Sequence, residues 1–221
     1  MKKGDFVRIN FIGRIKDTGE IFDLTYEDIA KKEGIYNEKI VYKPVPVVVG
    51  EGFVIKGLDD ALLKMKVGEK KKIVIKPEDA FGERNPDLMR IFPISFFEEQ
   101  KISPKPGMVI DFSGMKGKIQ SVSGGRVRVD FNNPLAGREL EYEVEIVSKI
   151  EKPEEKIKAI FEYFGFDAKV KVEDNVAEIE AFIPMQIKPK IITLILKYCN
   201  VKKLKLIEVY EIKDKTTQEK Q

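Results

Sequence analysis

Two polar segments that contain proline interrupt the hydrophobic pattern of this chain. The first is Glu83-Arg84-Asn85-Pro86, and the second is Asn132-Asn133-Pro134. Between them, glycines break a series of short apolar stretches, a pattern typical of a small β-rich unit. Alternating strands are predicted on both sides, at Phe6–Ile12 and at Leu140–Val147. The chain therefore cannot form one continuous domain in sequence order, and we expect an insert within a larger domain.

A third change of pattern occurs at Pro153. The residues that follow predict a helix, two strands, a second helix and a last strand, which is the order of a two-layer α+β domain. Cys199 ends the apolar stretch that begins at Ile191, and we expect it to be a buried core residue. The predicted domains are residues 1–86 with 131–152, the insert 87–130, and the C-terminal α+β domain 153–221.

The composition excludes several classes of enzyme. Histidine is absent and Cys199 is the single cysteine, so Ser-His-Asp and Cys-His triads, His-ligated metal sites and intramolecular disulfides are excluded. No phosphate-binding loop is present, because Gly50-x-Gly52 is not followed by Lys-Ser/Thr at the required spacing. We expect no metal and no cofactor.

Charge and hydropathy indicate where the protein acts. The 40 basic and 37 acidic residues give a net charge of +3, and they form no basic block of the kind that binds nucleic acid. No apolar run approaches the roughly 18 residues of a membrane span, and the chain does not start with the apolar core of a signal peptide. We expect a soluble cytoplasmic protein without a membrane partner.

A series of short motifs then carries a specific resemblance. The opening Val7-x-Ile9-x-Phe11-x-Gly13, followed by a turn and Phe22-Asp23, resembles the FKBP-type prolyl isomerases. Later matches in the same order are Val54-Ile55-Lys56-Gly57-Leu58, Met65-Lys66-Val67-Gly68-Glu69 and Pro77-Glu78-Asp79-Ala80-Phe81-Gly82. The resemblance covers about residues 5–150 and implies an α+β fold with an antiparallel sheet wrapped on a short helix.

The resemblance also implies site residues. The prolyl pocket would be lined by aromatic and aliphatic side chains, namely Phe11, Phe22, Val54, Ile55, Leu58, Phe81 and Tyr142. Asp23 would act at the pocket edge by electrostatics, and the N–H of Ile55 would anchor the substrate backbone. Leu135 and Ala136 would form part of the rim. Leu58 stands where familiar members have tryptophan, which predicts a wider floor and leaves macrolide affinity open.

This activity suits a chain without catalytic histidine. The prolyl peptide bond rotates over a barrier of roughly 18–20 kcal/mol, and no bond is broken. A thousandfold acceleration needs only about 4 kcal/mol of transition-state stabilisation. An apolar pocket with a few directed polar groups can supply it.

The insert is similar to the chaperone domain carried in the flap of the SlyD-like branch. Its apolar side chains either fill a small core of the insert or form a groove for unfolded chains. The proposed groove residues are Met89, Ile91, Phe92, Phe96, Phe97, Met108 and Met115. The appended C-terminal domain resembles the long archaeal form of the family.

Three functions are open from the sequence. The first is an active isomerase that binds unfolded or partly folded polypeptides with X-Pro bonds through its insert. The second is a holding chaperone with a weak isomerase pocket. The third is a ribosome- or nucleic-acid-associated module that uses the C-terminal domain, supported by Lys202-Lys203-x-Lys205. Dimerisation through the C-terminal domain also remains open.

Overall fold

The computed structural model describes residues 1–210. In chain order its elements are β1 (Phe6–Ile15), β2 (Ile21–Leu24), α1 (Glu27–Lys32), β3 (Val45–Val48), α2 (Lys56–Leu62), β4 (Lys70–Ile75), β5 (Met89–Pro93), α3 (Ile94–Glu99), β6 (Val109–Phe112), β7 (Met115–Ser123), β8 (Arg126–Asp130), β9 (Leu140–Ile150), α4 (Pro153–Tyr163), β10 (Lys169–Glu173), β11 (Val176–Glu180), α5 (Lys188–Tyr198) and β12 (Lys203–Ile207). Short 3₁₀ turns occupy Pro77–Asp79 and Pro86–Leu88.

The chain divides into two compact units. The first contains Met1–Gly13, Ile21–Ile73 and the described chain from Tyr142 onward. The second contains Arg14–Glu20 and Val74–Glu141. The fold is of mixed α+β class, as the family resemblance implies.

The main sheet has the strand order β2-β1-β9-β4, and β3 pairs antiparallel with β1. The register joins Phe6 to Val48 and Ile9 to Val45. Phe6, Val7 and Ile9 of β1 are all buried, so this strand is covered on both faces. Helix α2 buries Leu58 and Leu62 and is short, as the resemblance implies.

Apolar residues at helical spacing from Leu58 to Met65 predict a helix over that stretch, and the bounds of helix α2 differ from it. The helix begins at Lys56, two residues before the apolar stretch, and ends at Leu62. Met65 is still buried, but it lies in a turn that leads to Gly68 at φ +80°. The helical periodicity therefore extended one turn beyond the helix, because a buried turn residue continues the same apolar spacing.

The insert contains a four-stranded sheet in the order β5-β8-β7-β6. The β-rich pattern did not predict helix α3, which follows Pro93 at its N-cap and buries Phe97. Proline cannot donate a backbone hydrogen bond and its φ suits the start of a helix, so it marks this change from strand to helix. Phe97 joins Ile119, Val127 and Val129 in a buried cluster of the insert.

The C-terminal part has the predicted order α4-β10-β11-α5-β12. Strand β11 pairs antiparallel with β10 and parallel with β12. Helix α5 buries Ile191, Leu194 and Ile195 within this chain, and Cys199 is fully buried, as expected. The alternation of apolar residues predicts a last strand from Lys203 to Ile212, whereas strand β12 ends at Ile207. Ile212 and the polar end of the chain lie outside the described residues.

Candidate active site

Three aromatic rings form a corner in the first unit. Phe11 from β1 and Phe22 from β2 both contact Tyr142 from β9, with ring centroids 5.8 Å and 5.7 Å from the Tyr142 centroid. The Phe22 and Tyr142 rings meet edge to face at 77°, which is a favourable aromatic geometry. Phe11 and Tyr142 are buried, whereas Phe22 is partly exposed. The structure thus brings together three of the predicted pocket residues.

Gly13 makes room for this corner. A Cβ atom at Gly13 would lie 2.7 Å from Cζ of Phe22, closer than real side-chain contacts allow. The Phe22 ring therefore occupies the space that the side chain of any residue other than glycine at position 13 would need. The spacing of Phe11 and Gly13 along β1 has this direct steric reason.

Thr25 holds β2 beside β1 at the same point. Its hydroxyl accepts a hydrogen bond from the N–H of Phe11 at 2.9 Å and donates to Oδ1 of Asn10 at 2.9 Å. The N–H of Thr25 donates to the carbonyl of Phe11 at 3.0 Å. Thr25 is not among the site residues predicted from the sequence, although a polar residue directly after the Ile21–Leu24 strand is a signal for such a buried bond.

Asp23 lies at the edge of the aromatic corner. Desolvation by the surrounding protein raises the pKa of its carboxyl group, and a hydrogen bond from the N–H of Leu24 partly offsets this effect. The side chain nevertheless remains open to solvent. Burial, and then the charge of Asp23, raise the pKa of the Tyr142 hydroxyl, which therefore stays protonated at neutral pH. The corner thus combines apolar rings with one carboxylate and one phenol.

The loop before α2 presents the predicted substrate anchor. Its residues Val54 and Ile55 are partly exposed, whereas Leu58 on the helix is buried. The Ile55 carbonyl accepts bonds from the N–H groups of Leu58 and Asp59, both at 3.0 Å. Within residues 1–210, the N–H of Ile55 has no hydrogen-bond partner, as is usual at the start of a helix. This donor is available to a ligand carbonyl.

Asp59 supports that loop from the helix side. Its carboxylate is buried and accepts bonds from the N–H groups of Gly50 at 2.7 Å and Gly52 at 3.2 Å. Asp59 thus shapes the backbone that leads to Ile55. Asp59 is not among the site residues predicted from the sequence. The pattern that could have identified it is an acidic residue in the first turn of a helix that follows a glycine-rich loop.

Phe81, Leu135 and Ala136 belong to the second unit. Phe81 follows the 3₁₀ turn Pro77–Asp79 and is partly exposed. The next residue, Gly82, accepts a bond at 2.8 Å from the N–H of Gly137, so the Phe81 loop is tied to the turn that carries Leu135 and Ala136. Leu135 is partly exposed and Ala136 is buried.

The insert exposes part of its apolar surface. Ile91 is 61% exposed, Met108 43% and Met115 44%, while Met89, Phe92 and Phe96 are partly exposed. Phe97 differs from these residues, because it is only 1% exposed and lies in the core of the insert. A client surface on the insert therefore excludes Phe97, whose burial follows from its position on the inward face of α3.

Metal ligation and membrane insertion are two further properties that bear on function. No group of three or more His, Cys, Asp or Glu side chains in the described part of the chain is placed to hold a metal ion. None of the helices between residues 1 and 210 is long and apolar enough to cross a membrane.

Two relatives decide the family. A short-type peptidyl-prolyl cis-trans isomerase of Methanocaldococcus jannaschii is 36% identical over 146 residues, which are 66% of this chain and 92% of the relative. An FKBP-type 16 kDa peptidyl-prolyl cis-trans isomerase of Escherichia coli is 31% identical over 131 residues, 57% of this chain and 85% of the relative. This chain belongs to the FKBP-type peptidyl-prolyl cis-trans isomerase family.

The FKBP assignment extends to the insert. The family model described as the IF domain of FKBP26 matches residues 90–135, which overlap the predicted insert 87–130. The FKBP-type isomerase SlyD of Helicobacter pylori is 32% identical over 130 residues, which are 57% of this chain and 69% of the relative. The SlyD of Vibrio cholerae is 32% identical over 130 residues, 58% of this chain and 63% of the relative. The relatives of this chain therefore include SlyD proteins.

Proposed function

We propose that this protein accelerates cis-trans rotation of X-Pro peptide bonds in folding polypeptides. The observation that supports this most is the corner of Phe11, Phe22 and Tyr142 with Asp23 at its edge. In this proposal a prolyl ring enters the corner and the unpaired N–H of Ile55 binds a substrate carbonyl. Val54 and Leu58 complete the apolar wall and floor, and the family resemblance assigns Phe81 to the wall and Leu135 and Ala136 to the rim.

The proposed mechanism needs no covalent step. A planar amide is stabilised by charge-separated resonance, and the twisted transition state has lost that charge separation. An apolar environment therefore favours the twisted state over the planar one, and Asp23 acts electrostatically on the carbonyl side of the bond. Only interactions that are stronger in the transition state contribute to the rate. Asp23, Phe81 and Tyr142 are the proposed catalytic residues.

A protease-free isomerisation assay on an X-Pro peptide tests the proposal. Wild type should accelerate the exchange of cis and trans forms, and both Asp23→Asn and Phe81→Ala should lower kcat/KM by about tenfold or more. Asp167→Asn is the matched control, because Asp167 is an exposed carboxylate in the C-terminal part. A well-folded wild type without acceleration would contradict the isomerase function.

We further propose that the insert binds unfolded chains. The support is the exposure of Ile91, Met108 and Met115 together with the match of the insert to an IF domain. Methionine side chains adapt their shape to different partners. A client held on the insert would raise the local concentration of prolyl bonds at the pocket.

The chaperone activity can be separated from isomerisation. Ile91→Ser with Met115→Ser should weaken the suppression of aggregation of a reduced, unfolding client while leaving the turnover of a short peptide unchanged. Lys116→Ser is the control, since Lys116 is an exposed polar neighbour of Met115 on β7. If the double variant and the Lys116→Ser control suppress aggregation equally well, the insert does not form the surface that binds the client.

The remaining parts of the proposal concern the form of the protein and its location. About a third of the chain lies outside the match to the M. jannaschii relative, which covers 66% of this chain. This extent supports a long archaeal form with an appended domain.

We propose a cytoplasmic location because the single cysteine, Cys199, is buried and free. Sedimentation tests dimerisation through the appended domain, and low-salt RNA binding tests the nucleic-acid alternative.

A further inference from the structure

The end of helix α4 contacts the loop that carries the substrate anchor. The hydroxyl of Tyr163 donates a hydrogen bond to the carbonyl of Phe53 at 2.5 Å. The two rings also pack together, with centroids 4.3 Å apart, and Phe164 packs on Phe53 at 6.1 Å. Phe53 is buried beneath these contacts and precedes Ile55 by two residues. The C-terminal part of the chain thus bonds directly to the backbone before the anchor.

Helix α4 is fixed by contacts that do not involve this loop. Arg8 on β1 donates two bonds to the carboxylate of Glu162, at 2.7 Å and 3.3 Å, and Lys43 contacts the same carboxylate at 2.5 Å. The bonds from Arg8 hold the pKa of Glu162 below its usual value. Since Glu162 directly precedes Tyr163, these contacts hold the backbone that carries Tyr163 without help from the loop.

A second tether joins α5 to the same loop. The Tyr198 hydroxyl donates to Glu51, and Lys197 and Lys3 contact that carboxylate at 3.4 Å and 3.5 Å. The Tyr198 ring packs so closely on Gly4 that a Cβ atom there would lie 2.5 Å from Cε1. These contacts restrain the start of the loop, while Tyr163 restrains its end.

The opposite side of the loop is held by α2. Asp59 accepts the N–H groups of Gly50 and Gly52, but it makes no bond to the peptide group that links Phe53 to Val54. That peptide group is oriented through its carbonyl by Tyr163. The peptide group that carries the Ile55 N–H is the next one along the chain, joined to it through the torsions of Val54, so this bond restrains the backbone from which that N–H projects.

We infer that Tyr163 is a positioning residue of the isomerase site. Its hydroxyl holds the Phe53 carbonyl and thereby directs the N–H of Ile55 toward the substrate backbone. The C-terminal domain is in this way part of the catalytic apparatus, and its docking on the isomerase domain tunes substrate binding. This inference rests on the proposed isomerase function for its kinetic consequence, but its structural consequence can be measured without any activity.

The test compares Tyr163→Phe with wild type in the full-length chain. The variant keeps the ring that packs on Phe53 and removes only the hydroxyl. Because the Ile55 N–H binds substrate in the ground state and in the transition state alike, KM should rise about two- to tenfold with kcat nearly unchanged. The amide resonances of Val54 and Ile55 should shift. Tyr210→Phe is the matched control, since the Tyr210 hydroxyl bonds only to Glu208, at 3.3 Å, among the described residues.

The outcomes separate this inference from the proposed function. An inactive wild type would remove the isomerase function, and the amide resonances would still show whether Tyr163 orients the loop. An active wild type with unchanged KM and unchanged Val54 and Ile55 resonances in Tyr163→Phe would overturn the positioning role. Tyr163→Leu serves as a second variant if the first fails to fold. Loss of the folded state in both would assign Tyr163 to stability alone and would also overturn the inference.

Discussion

The guanidinium of Arg84 contacts the carboxylate of Asp130, which joins the chain segment that enters the insert to the segment that leaves it. Asp130 is buried and accepts further bonds from the N–H and the side-chain amide of Asn132, at 2.9 Å and 2.8 Å. The amide of Asn132 also donates to the carbonyl of Asn85 at 3.0 Å. The polar residues that mark the insert boundaries in sequence thus form its clasp in space.

Removing Arg84 should therefore destabilise the second unit. Arg84→Ala leaves the Asp130 carboxylate buried without its cation, which we expect to cost about 1–3 kcal/mol of unfolding free energy. Urea denaturation of the full chain measures this cost. Arg126→Ala is the control, because Arg126 is exposed at the start of β8. Equal stability of the two variants would show that the clasp contributes nothing.

The core position of Phe97 predicts a large effect of truncation. Phe97→Ala should lower the stability of the insert by about 3 kcal/mol or more, because the cavity adds to the lost burial. Ile91→Ala should change stability little, since Ile91 is 61% exposed. Hydrogen exchange of the β7 and β8 amides measures both effects. Equal stability of Phe97→Ala and Ile91→Ala would contradict the core position of Phe97 and would favour a surface role for this residue.

The close approach at Gly13 predicts a loss of activity. Gly13→Ala would place a Cβ atom 2.7 Å from Cζ of Phe22 and push that ring out of the aromatic corner. We expect kcat/KM for an X-Pro peptide to fall by about 10- to 100-fold, as for other small displacements in active sites. In the Phe22→Leu background, Gly13→Ala should lower kcat/KM by a much smaller factor, because position 22 then carries no aromatic ring that the new Cβ atom could displace. Equal costs in both backgrounds would argue against this steric account.

The raised pKa of Asp23 predicts a pH dependence of stability. Desolvation raises the pKa of the Asp23 carboxyl in the folded state above its ordinary value of 3.8, so the folded state binds this proton more tightly than the unfolded state. The ionised carboxylate therefore costs stability that is regained as pH falls through the folded pKa. Asp23→Asn should be more stable than wild type at pH 7, with the difference shrinking toward pH 3. The isomerase activity of wild type should fall over the same acidic range, with an apparent pKa above 3.8.

Glu162 should show the opposite sign. The bonds from Arg8 lower its pKa below 4.5, so its contribution to stability is present above pH 4.5 and is lost as pH falls through the folded pKa. Glu162→Gln should lower the unfolding free energy by about 1–2 kcal/mol at pH 7 and by much less near pH 3. Thermal unfolding at the two pH values checks this. A loss that does not depend on pH would mean that the ion pair with Arg8 is not its source.

Local patterns were sufficient to predict most of the elements. Alternation along Phe6–Ile12 and Leu140–Val147 predicted β1 and β9, and the strands and helices after Pro153 appear in the predicted order. Each of these signals depends on neighbours in sequence, which is why they could be found without a structure. Helix α3 was missed because its six residues are too few to show helical periodicity beside strong β-formers.

The sequence by itself determined most of the strand and helix pattern and, through ordered motifs, the residues proposed for the pocket. Only the tertiary structure decided which side chains meet. Thr25 bonds to Phe11, Asp59 to Gly50, and Tyr163 to Phe53 across 110 residues of chain. Contacts of this kind depend on how whole elements pack. A local pattern carries no information about a partner on another element, so the support of the candidate site became visible only in three dimensions.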